Sequence, residues 1–246
     1  MEKIANWLWQ DKETTESTND DAIAFSKEVI SEKFIISAKE QTKGRGRRGR
    51  SWVGLEGNLF FSQGVVFEPK HIGELIFISS LSLHQTIQKL LPDGHNAQLK
   101  WPNDILIDNR KVSGMLLERG EGDYFIIGIG VNICASPRSS EMIYPTTNLK
   151  ENGINIDRLS FLRSYIENFD INMKKWKDFG FSRIKEQWIS AAKGLGEEIA
   201  LRTAEKETKG IFAGLGEQGE LLLNQNGNIL KIYAGDVFYI KKEENE

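Results

Sequence analysis

The chain has 246 residues, 39% of them hydrophobic, and a formal net charge of -3. These values suit one large domain, or one with a small companion, built around a sizeable core. The negative charge argues against a protein that coats nucleic acid or an anionic membrane, because such proteins carry a broad basic surface. A single cysteine, Cys134, excludes an internal disulfide framework and suits the reducing cytoplasm. No export signal and no run of about 18 apolar residues is present, so membrane insertion is not expected.

The N-terminal third predicts a helix followed by two strands. Polar residues at 16–21 precede an apolar helical pattern, which is typical of a capped helix N-terminus. Residues 34–41 and 57–69 are rich in β-formers and predict strands, the second with a break at Gly64. The local order is therefore strand, basic loop, strand.

The middle of the chain predicts one core helix and a growing sheet. Apolar residues recur at helical intervals over 71–91. Residues 97–118 predict two strands joined at Asp108 and Asn109, and 120–133 predict a further strand. Asp104, like Asp108 and Asn109, is expected to serve a turn.

The last part of the chain changes character near Leu195. Between 157 and 193 the apolar spacing predicts one long helix, or two separated near Gly180. Beyond it, β-formers alternate with turn signals, which predicts a small β-barrel. We therefore expect a large domain at 1–193 and a small domain at 194–246.

A basic glycine loop at 42–52 places four arginines and one lysine among three glycines. Gly44, Gly46 and Gly49 satisfy the pattern G-x-G-x-x-G, which is found in dinucleotide-binding folds. In those folds the third glycine opens a helix that holds the pyrophosphate. No helical pattern follows here, and this argues against a dinucleotide site.

The loop is better suited to clamp anions. Its glycines let the backbone approach a ligand closely, and its planar guanidinium groups match carboxylate and phosphate oxygens. The donors are Arg45, Arg47, Arg48 and Arg50. A solvated basic turn and a nucleic-acid hairpin are the alternatives, although one short patch without interleaved aromatic residues provides few phosphate contacts.

A second charged group lies in the segment LKWPNDIL at 99–106. Pro102 favours an extended conformation at Trp101, so Lys100 should lie on rigid β-type backbone. An ammonium held there is able to bridge two anionic reactants. The alternative is a surface lysine beside a structural turn.

Glycines interrupt the predicted strands that follow. Gly114, Gly128 and Gly130 mark either bulges or places where a group approaches the backbone closely. Asn132 follows them as a polar side chain that could contact a ligand.

Four motifs resemble, in order and interval, those of the biotin protein ligase family. They are ESTND at 16–20, QTKGRGRRGRSW at 41–52, LKWPNDILIDNRKVSGMLLE at 99–118 and GIGVNI at 128–133. The resemblance implies an α+β fold, in which a mixed β-sheet with packed helices is similar to the catalytic core of class II aminoacyl-tRNA synthetases. A C-terminal SH3-like β-barrel is implied to follow.

The family joins biotin to ATP, with Mg²⁺ expected as the partner of ATP. Biotinyl-5'-AMP forms, and the biotinyl group passes to a lysine of a biotin carboxyl carrier protein. The resemblance implies catalytic roles for Lys100, Arg47 and Arg45, and no metal held by protein side chains. The implied biotin-binding residues are Ser17, Thr18, Asn19, Gln41, Gly44, Arg45, Gly46, Arg47, Lys100 and Gly114. The implied ATP-binding residues are Arg47, Arg48, Arg50, Trp52, Lys100 and Asn132.

The expected partner is the biotin carboxyl carrier protein of acetyl-CoA carboxylase or of a related biotin-dependent carboxylase. The residues before Ser17 are too few for the winged helix-turn-helix of some family members, so a monofunctional enzyme that does not bind DNA is expected. Edge strands offer a route to a homodimer. Two rival functions are a lipoate or octanoate transferase and a binding module without catalysis.

Overall fold

Two β-sheets organise the chain. We describe them from a computed structural model that covers residues 2–29, 31–68, 70, 72–138, 144–203 and 206–240. Within these residues, an eight-stranded sheet has the order β1-β2-β3-β4-β8-β7-β6-β5 and a five-stranded sheet has the order β12-β11-β10-β9-β13. The β2–β3 pair is parallel, while the other strand pairs of both sheets are antiparallel. The expected mixed sheet is confirmed.

The elements of the large sheet come first along the chain. Its strands are β1 Glu2–Ile4, β2 Trp7–Thr15, β3 Lys33–Gln41, β4 Leu59–Val66, β5 Ala97–Lys100, β6 Asp104–Ile107, β7 Arg110–Arg119 and β8 Tyr124–Val131. The helices are α1 Thr18–Ser26, α2 Ile72–Leu90, α3 Arg158–Phe179 and α4 Phe181–Ser190. The strands of the small sheet are β9 Glu198–Arg202, β10 Glu207–Leu215, β11 Leu221–Gln225, β12 Asn228–Ile232 and β13 Asp236–Tyr239.

Helix α1 begins where the sequence predicts it. The Ser17 side chain accepts a hydrogen bond from the backbone N–H of Asp20, which satisfies one free donor of the first turn. The carboxylates of Asp20 and Asp21 lie in that turn, where the helix dipole favours negative charge. Ala22 of the helix packs on Phe34 in a small buried cluster, and this anchors α1 against one face of the large sheet.

The large sheet is covered differently on its two faces, because successive side chains of a strand point to opposite sides. Phe61 of β4 packs edge-on against Tyr165 of α3, with 5.2 Å between ring centroids. The next residue, Ser62, donates hydrogen bonds to Thr18 and Asn19 of α1. Helices α2 to α4 therefore lie over the main apolar core, and burying a side chain such as Phe61 there contributes about 1.5–3 kcal/mol. The opposite face carries α1 and has room for a site.

The C-terminal helices and the small sheet match expectation. Gly180, at φ 74, separates α3 from α4, as the apolar spacing predicts. The five antiparallel strands that follow are consistent with the expected SH3-like domain. The indole N–H of Trp101 donates to the carbonyl of Gly219 at 3.0 Å, and the Tyr144 hydroxyl donates to the carbonyl of Val237. The small sheet therefore lies directly against the large one. The boundary between 193 and 194 stays a prediction.

Several local expectations are wrong. Strand β4 continues through Gly64 without a break, and a Cβ at this position would overlap the ring of Phe34 in the neighbouring strand. The segment 97–118 forms three strands rather than two, because a turn at Trp101–Asn103 separates β5 from β6. Pro102 follows a cis peptide bond within that turn.

The expectations for single residues had different outcomes. Asp108 and Asn109 form the expected turn, with φ of 47 and 66. Asp104 lies within β6 instead of a turn. His71, the first residue of the predicted core helix, lies outside the described residues, and α2 begins at Ile72. Of the helices described, none has the length and hydropathy to cross a membrane.

Candidate active site

A cavity of about 730 Å³ opens on the face of the large sheet that α1 covers in part. Its walls come from the start of α1, the basic glycine loop, β7 and β8, residues 136–138 and the small sheet. The predicted site residues that line it are Ser17, Thr18, Asn19, Gln41, Arg45, Gly46, Arg47, Arg50, Trp52, Gly114 and Asn132. Among the described residues, the lining leaves out three of those predicted, namely Gly44, Arg48 and Lys100.

Glycines form the floor of the cavity. A Cβ at Gly130 would overlap the indole of Trp52, and a Cβ at Gly128 would overlap the amide of Asn19. A Cβ at Gly114 would lie 3.1 Å from the Trp52 ring. Strands β7 and β8 run through these glycines without a break. The glycines therefore permit close approach and do not form bulges.

At one end of the cavity, polar side chains are held in place by hydrogen bonds to one another. Gln41 accepts hydrogen bonds at Oε1 from the backbone N–H and the hydroxyl of Thr18, at 2.8 and 2.9 Å. Asn19 donates from Nδ2 to Glu118 at 2.5 Å and accepts at Oδ1 from Ser62. Because these side chains hold one another, they present donors and acceptors in a rigid arrangement.

The basic glycine loop folds back on itself as a short hairpin. The Gly46 N–H donates to the carbonyl of Arg50 at 2.7 Å, and the Trp52 N–H donates to the carbonyl of Gly44 at 2.9 Å. Arg48, at φ 57, lies in a single 3₁₀ turn over Arg47–Gly49. No longer helix follows the third glycine, which agrees with the argument against a dinucleotide fold.

Arg45 is held by carboxylates at the polar end of the cavity. Both terminal nitrogens of its guanidinium donate to Asp20, each at 2.6 Å, and one lies 3.4 Å from Glu118. These hydrogen bonds lower the pKa of Asp20. The ion pair between Arg45 and Asp20 holds the loop to the first turn of α1.

Arg48 and Arg50 are held from the small sheet. Asp236 of β13 accepts from Arg48 at 3.2 Å and from Arg50 at 2.7 Å. Burial alone would raise the pKa of Asp236, but the hydrogen bond and charge of Arg50, together with the charge of Arg48, lower it. Sequence reasoning missed Asp236, since no motif marks it and it is distant from the loop along the chain.

Arg47 differs from the other loop arginines. It is half-buried and donates to the amide oxygen of Asn103 at 3.2 Å. Within the described part of the chain, Arg45, Arg48 and Arg50 each pair with a carboxylate whereas Arg47 pairs with none. Burial lowers the pKa of Arg47. A guanidinium that lines a cavity without a counterion is suited to receive an anion.

Two lysines lie near the cavity in different surroundings. Lys100 is 3% exposed, and its ammonium lies 2.9 Å from the centroid of the Tyr144 ring. Burial lowers the pKa of Lys100 to about 7, against the opposing effect of Asp104. Lys111 lines the cavity, with Nζ 2.7 Å from Asp104 and 5.5 Å from the centroid of the Trp52 ring.

Sequence reasoning therefore selected one lysine of the segment and overlooked the other. Both are in the motif at 99–118, and only the register of β7 relative to β6 places Lys111 in the cavity. Asp104, expected to serve a turn, pairs with Lys111 instead. Asn103, which contacts Arg47 and donates to the carbonyl of Met115, was also missed.

The other end of the cavity has unpaired polar atoms. The indole nitrogen of Trp52 and the amide oxygen of Asn132 are buried and have no hydrogen-bond partner among the described residues. Asn132 is fixed because its Nδ2 donates to the carbonyl of Thr147 at 3.0 Å. One donor and one acceptor are thus available to a ligand.

Two family models match the chain. Residues 12–132 match the Biotin/lipoate A/B protein ligase family, and residues 194–239 match the Biotin protein ligase C terminal domain. The Biotin--[acetyl-CoA-carboxylase] ligase of Paracoccus denitrificans is 32% identical over 237 residues, which cover 92% of this chain and 98% of the relative. The chain belongs to the biotin protein ligase family.

Other members of the family are similar over most of this chain. The bifunctional ligase/repressor BirA of Bacillus subtilis is 32% identical over 214 residues, which cover 82% of this chain and 65% of that protein. The biotin protein ligase from Aquifex aeolicus, solved in complex with biotin and ATP, has a TM-score of 0.81 and 31% identity. That comparison covers 94% of this chain and 97% of the other.

The contact between Asp236 and the loop gives a first prediction for this ligase-family chain. Asp236→Asn removes the charge that holds Arg48 and Arg50, so we expect trypsin to cleave at the loop arginines several times faster. The measurement is mass spectrometry of a limited digest. Asp178→Asn is the control, since Asp178 pairs with Lys174 on the exposed face of α3. Equal cleavage in both variants would contradict the holding role.

Burial of Lys100 predicts a pH dependence of stability. Its folded pKa is about 7, whereas an unfolded lysine titrates near about 10.4. Below the folded pKa both the folded and the unfolded chain bind the proton, so Lys100 does not make the free energy of unfolding depend on pH. Between the two values only the unfolded chain binds it, and the free energy of unfolding rises with pH by up to about 1.4 kcal/mol per unit.

Urea denaturation at pH 7, 8 and 9 measures this slope. We expect Lys100→Met to lose the rise that the parent shows, while Lys177→Met, at an exposed position of α3, keeps it. If the free energy of unfolding changes with pH equally in the parent and in Lys100→Met, the ammonium of Lys100 remains charged when buried.

Proposed function

We propose that this chain joins biotin to ATP and then transfers the biotinyl group to a lysine of a biotin carboxyl carrier protein. The observation that carries the proposal concerns Arg47, which has no carboxylate partner among the described residues and lines one cavity together with Lys111 and the polar groups of α1. Membership of the family supports it, and so does similarity to the Aquifex aeolicus ligase, which was solved with biotin and ATP.

In the first step two anions must meet. A carboxylate oxygen of biotin attacks the α-phosphorus of ATP, the bond to the bridging oxygen breaks, and pyrophosphate leaves with the electron pair. The cations of the cavity offset the repulsion between the reactants and stabilise the charge that builds on the phosphoryl oxygens. They do this best in a cavity with little water, where the effective dielectric is low.

The second step releases AMP. The neutral amine of the carrier lysine attacks the acyl carbon of biotinyl-5'-AMP, the bond from that carbon to the phosphate oxygen breaks, and the amine loses a proton. Between the steps the mixed anhydride has to be kept from water. The loop and Trp52 lie over the cavity and are suited to shield it.

We assign the biotin ring to the polar end of the cavity. Ser17, Thr18, Asn19 and Gln41 provide the donors and acceptors that a ureido group requires, and Gly114 provides space. Gly46 and the buried Gly44 keep the loop close to that end. Asp20 holds the guanidinium of Arg45, and we assign Arg45 to the biotin carboxylate.

The nucleotide is assigned to the other end. Asn132 and Trp52 offer an acceptor and a donor to the base, and Arg47 faces the α-phosphate. Arg48 and Arg50 support the loop through Asp236, and Arg50, which lines the cavity, flanks the phosphates. Between the two reactants we place Lys111 rather than Lys100, because Lys111 lines the cavity and Lys100 lies behind the Tyr144 ring.

Magnesium is proposed to arrive with ATP. In the described part of the chain, no group of three or more histidine, cysteine or acidic side chains is placed to hold a metal ion. The acids beside the cavity, Asp104 and Asp236, are already paired with Lys111 and with the loop arginines. Mg²⁺ is usually bound through substrate phosphates and water, so its chemistry here would be to neutralise the polyphosphate.

The cellular setting is part of the proposal. We assign the protein to the cytoplasm and its carrier to acetyl-CoA carboxylase or a related carboxylase. Homodimer formation through sheet edges and the lack of DNA binding stay predictions. The outer strands are β1 and β5 in the large sheet and β12 and β13 in the small one. Strand β5 is already paired at Leu99, whose N–H donates to Ala191 and whose carbonyl accepts from Lys193. Residues 1–193 and 194–246 are the proposed domains.

The activity is tested by pyrophosphate release and by transfer. We expect release that requires both ATP and biotin, with no release when lipoate replaces biotin. Labelled biotin should then appear on a carrier domain only in the presence of ATP. Release with lipoate instead would favour the lipoate transferase, and no release with either acid would favour a binding module.

The placement of the two lysines gives a sharper prediction. Lys111→Met removes the ammonium in the cavity, so we expect kcat for pyrophosphate release to fall by about 10²–10³, the usual cost of losing one fixed charge donor. Lys100→Met should lose much less, because Lys100 is separated from the cavity by Tyr144. If Lys100→Met loses more than Lys111→Met, the bridging role belongs to Lys100.

A further inference from the structure

A buried amide at the start of β4 lies behind the wall of the cavity. Asn58 is fully buried and is the residue immediately before β4. Its Oδ1 accepts hydrogen bonds from three consecutive backbone N–H groups, those of Ile133, Cys134 and Ala135, at 2.9, 3.0 and 3.2 Å. Its Nδ2 donates to the carbonyl of Ala135 at 2.9 Å. One side chain thus satisfies four backbone groups of the segment 133–135.

These bonds begin where the sheet ladder stops. The last paired residues of β4 and β8 are Leu59 and Val131. Beyond them the chain of β8 continues into Asn132 and then into 133–135. The carbonyl of Ile133 accepts from the N–H of Lys150, while the three N–H groups of 133–135 are satisfied by Asn58. The amide of Asn58 replaces the missing strand and holds this segment to β4.

The turn that presents Asn58 is itself packed against the same segment. The Asn58 N–H donates to the carbonyl of Leu55, and Gly57 lies between them at φ 80. A Cβ at Gly57 would lie 2.8 Å from the Cβ of Cys134. Glycine is therefore required twice, for its left-handed backbone and for the close contact.

The segment held by Asn58 carries the nucleotide side of the cavity. On one side of it lies Asn132, whose buried Oδ1 has no partner among the described residues. On the other side lie Ser136, Pro137 and Arg138, which line the cavity. Asn132 has backbone bonds of its own to Val112 and Leu149, so displacing 133–135 would move mainly residues 136–138, which follow on the same backbone.

We propose that Asn58 is a positioning residue for the nucleotide, acting through 133–135 to fix residues 136–138, which line the nucleotide side of the cavity. It does not line the cavity and acts only through that segment. The inference rests on the proposed function in assigning ATP to this end. The biotin end has its own supports, the bonds of Thr18 and Asn19 to Gln41 and Glu118, which do not involve Asn58.

The inference predicts a change confined to one substrate. Asn58→Ala leaves the N–H groups of 133–135 without their acceptor, and a displaced segment should cost the affinity for ATP about tenfold. We expect the KM for ATP to rise by that factor while the KM for biotin stays at the parent value. Direct binding of ATP, measured by calorimetry without biotin, should weaken to the same extent.

A matched control separates positioning from stability. Asn172 of α3 is also a fully buried amide, and its Nδ2 donates to Ser82 and Gln85 among the helices on the opposite face of the sheet. Asn172→Ala should lower the melting temperature and leave both KM values unchanged. Asn58→Ala should lower the melting temperature and also change the KM for ATP.

A conservative variant covers the case in which Asn58→Ala does not fold. Asn58→Asp retains an oxygen that can accept from the three N–H groups. Its second oxygen faces the carbonyl of Ala135 and donates to it only when the carboxyl is protonated. The loss of ATP affinity in Asn58→Asp should be smaller than that of Asn58→Ala. If Asn58→Ala is insoluble, Asn58→Asp should still bind ATP measurably more weakly than the parent.

The outcomes are distinct. Unchanged ATP affinity in Asn58→Ala, or in Asn58→Asp where Asn58→Ala does not fold, would overturn the positioning role. So would an equal rise in both KM values, or equal losses in the two variants. Absence of biotin-dependent pyrophosphate release in the parent would overturn the proposed function instead. The calorimetric comparison of ATP binding would still decide the role of Asn58.

Discussion

Pairing of charges at the cavity determines how the basic glycine loop lies. The loop brings four guanidinium groups into a small volume, and their mutual repulsion would open it if they had no counterions. Asp20 holds Arg45, while Asp236 holds Arg48 and Arg50. Arg47 remains with an amide partner, so the charge that is left for a ligand is concentrated there. A loop that would be a solvated turn by itself becomes one wall of a cavity.

The small sheet takes part in the site through this pairing. Asp236 reaches the loop, the carbonyl of Val237 accepts from Tyr144, and the Tyr144 ring covers the ammonium of Lys100. The burial that results depresses the pKa of Lys100 and leaves Lys111 as the ammonium that faces the cavity. The different surroundings of the two lysines therefore come from packing between the sheets, not from the local sequence around either residue.

Local patterns predicted the helices and many of the strands, while the mixed sheet was expected from the family resemblance. The cap at Ser17, the break at Gly180 and the turn at Asp108 depend on neighbours in the chain, and each agrees with the structure. Strands β1 and β2 were not predicted, since polar residues break up the short apolar run at the N-terminus and β2 is rich in charged and polar side chains. Motifs located much of the cavity lining. Asp236, Asn58 and the register that exposes Lys111 depend on contacts between distant segments, which single-sequence patterns do not contain.

The floor of the cavity has a consequence for any redesign of its contents. At Gly114, Gly128 and Gly130 the surface beneath a guest molecule is main chain, with no side chain to trim or exchange. The cavity cannot be enlarged on this side by shortening a side chain, and an added group at Gly128 or Gly130 would overlap the amide of Asn19 or the indole of Trp52. Room for a bulkier analogue of biotin has to be made in the basic glycine loop or in the first turn of α1, where side chains line the cavity.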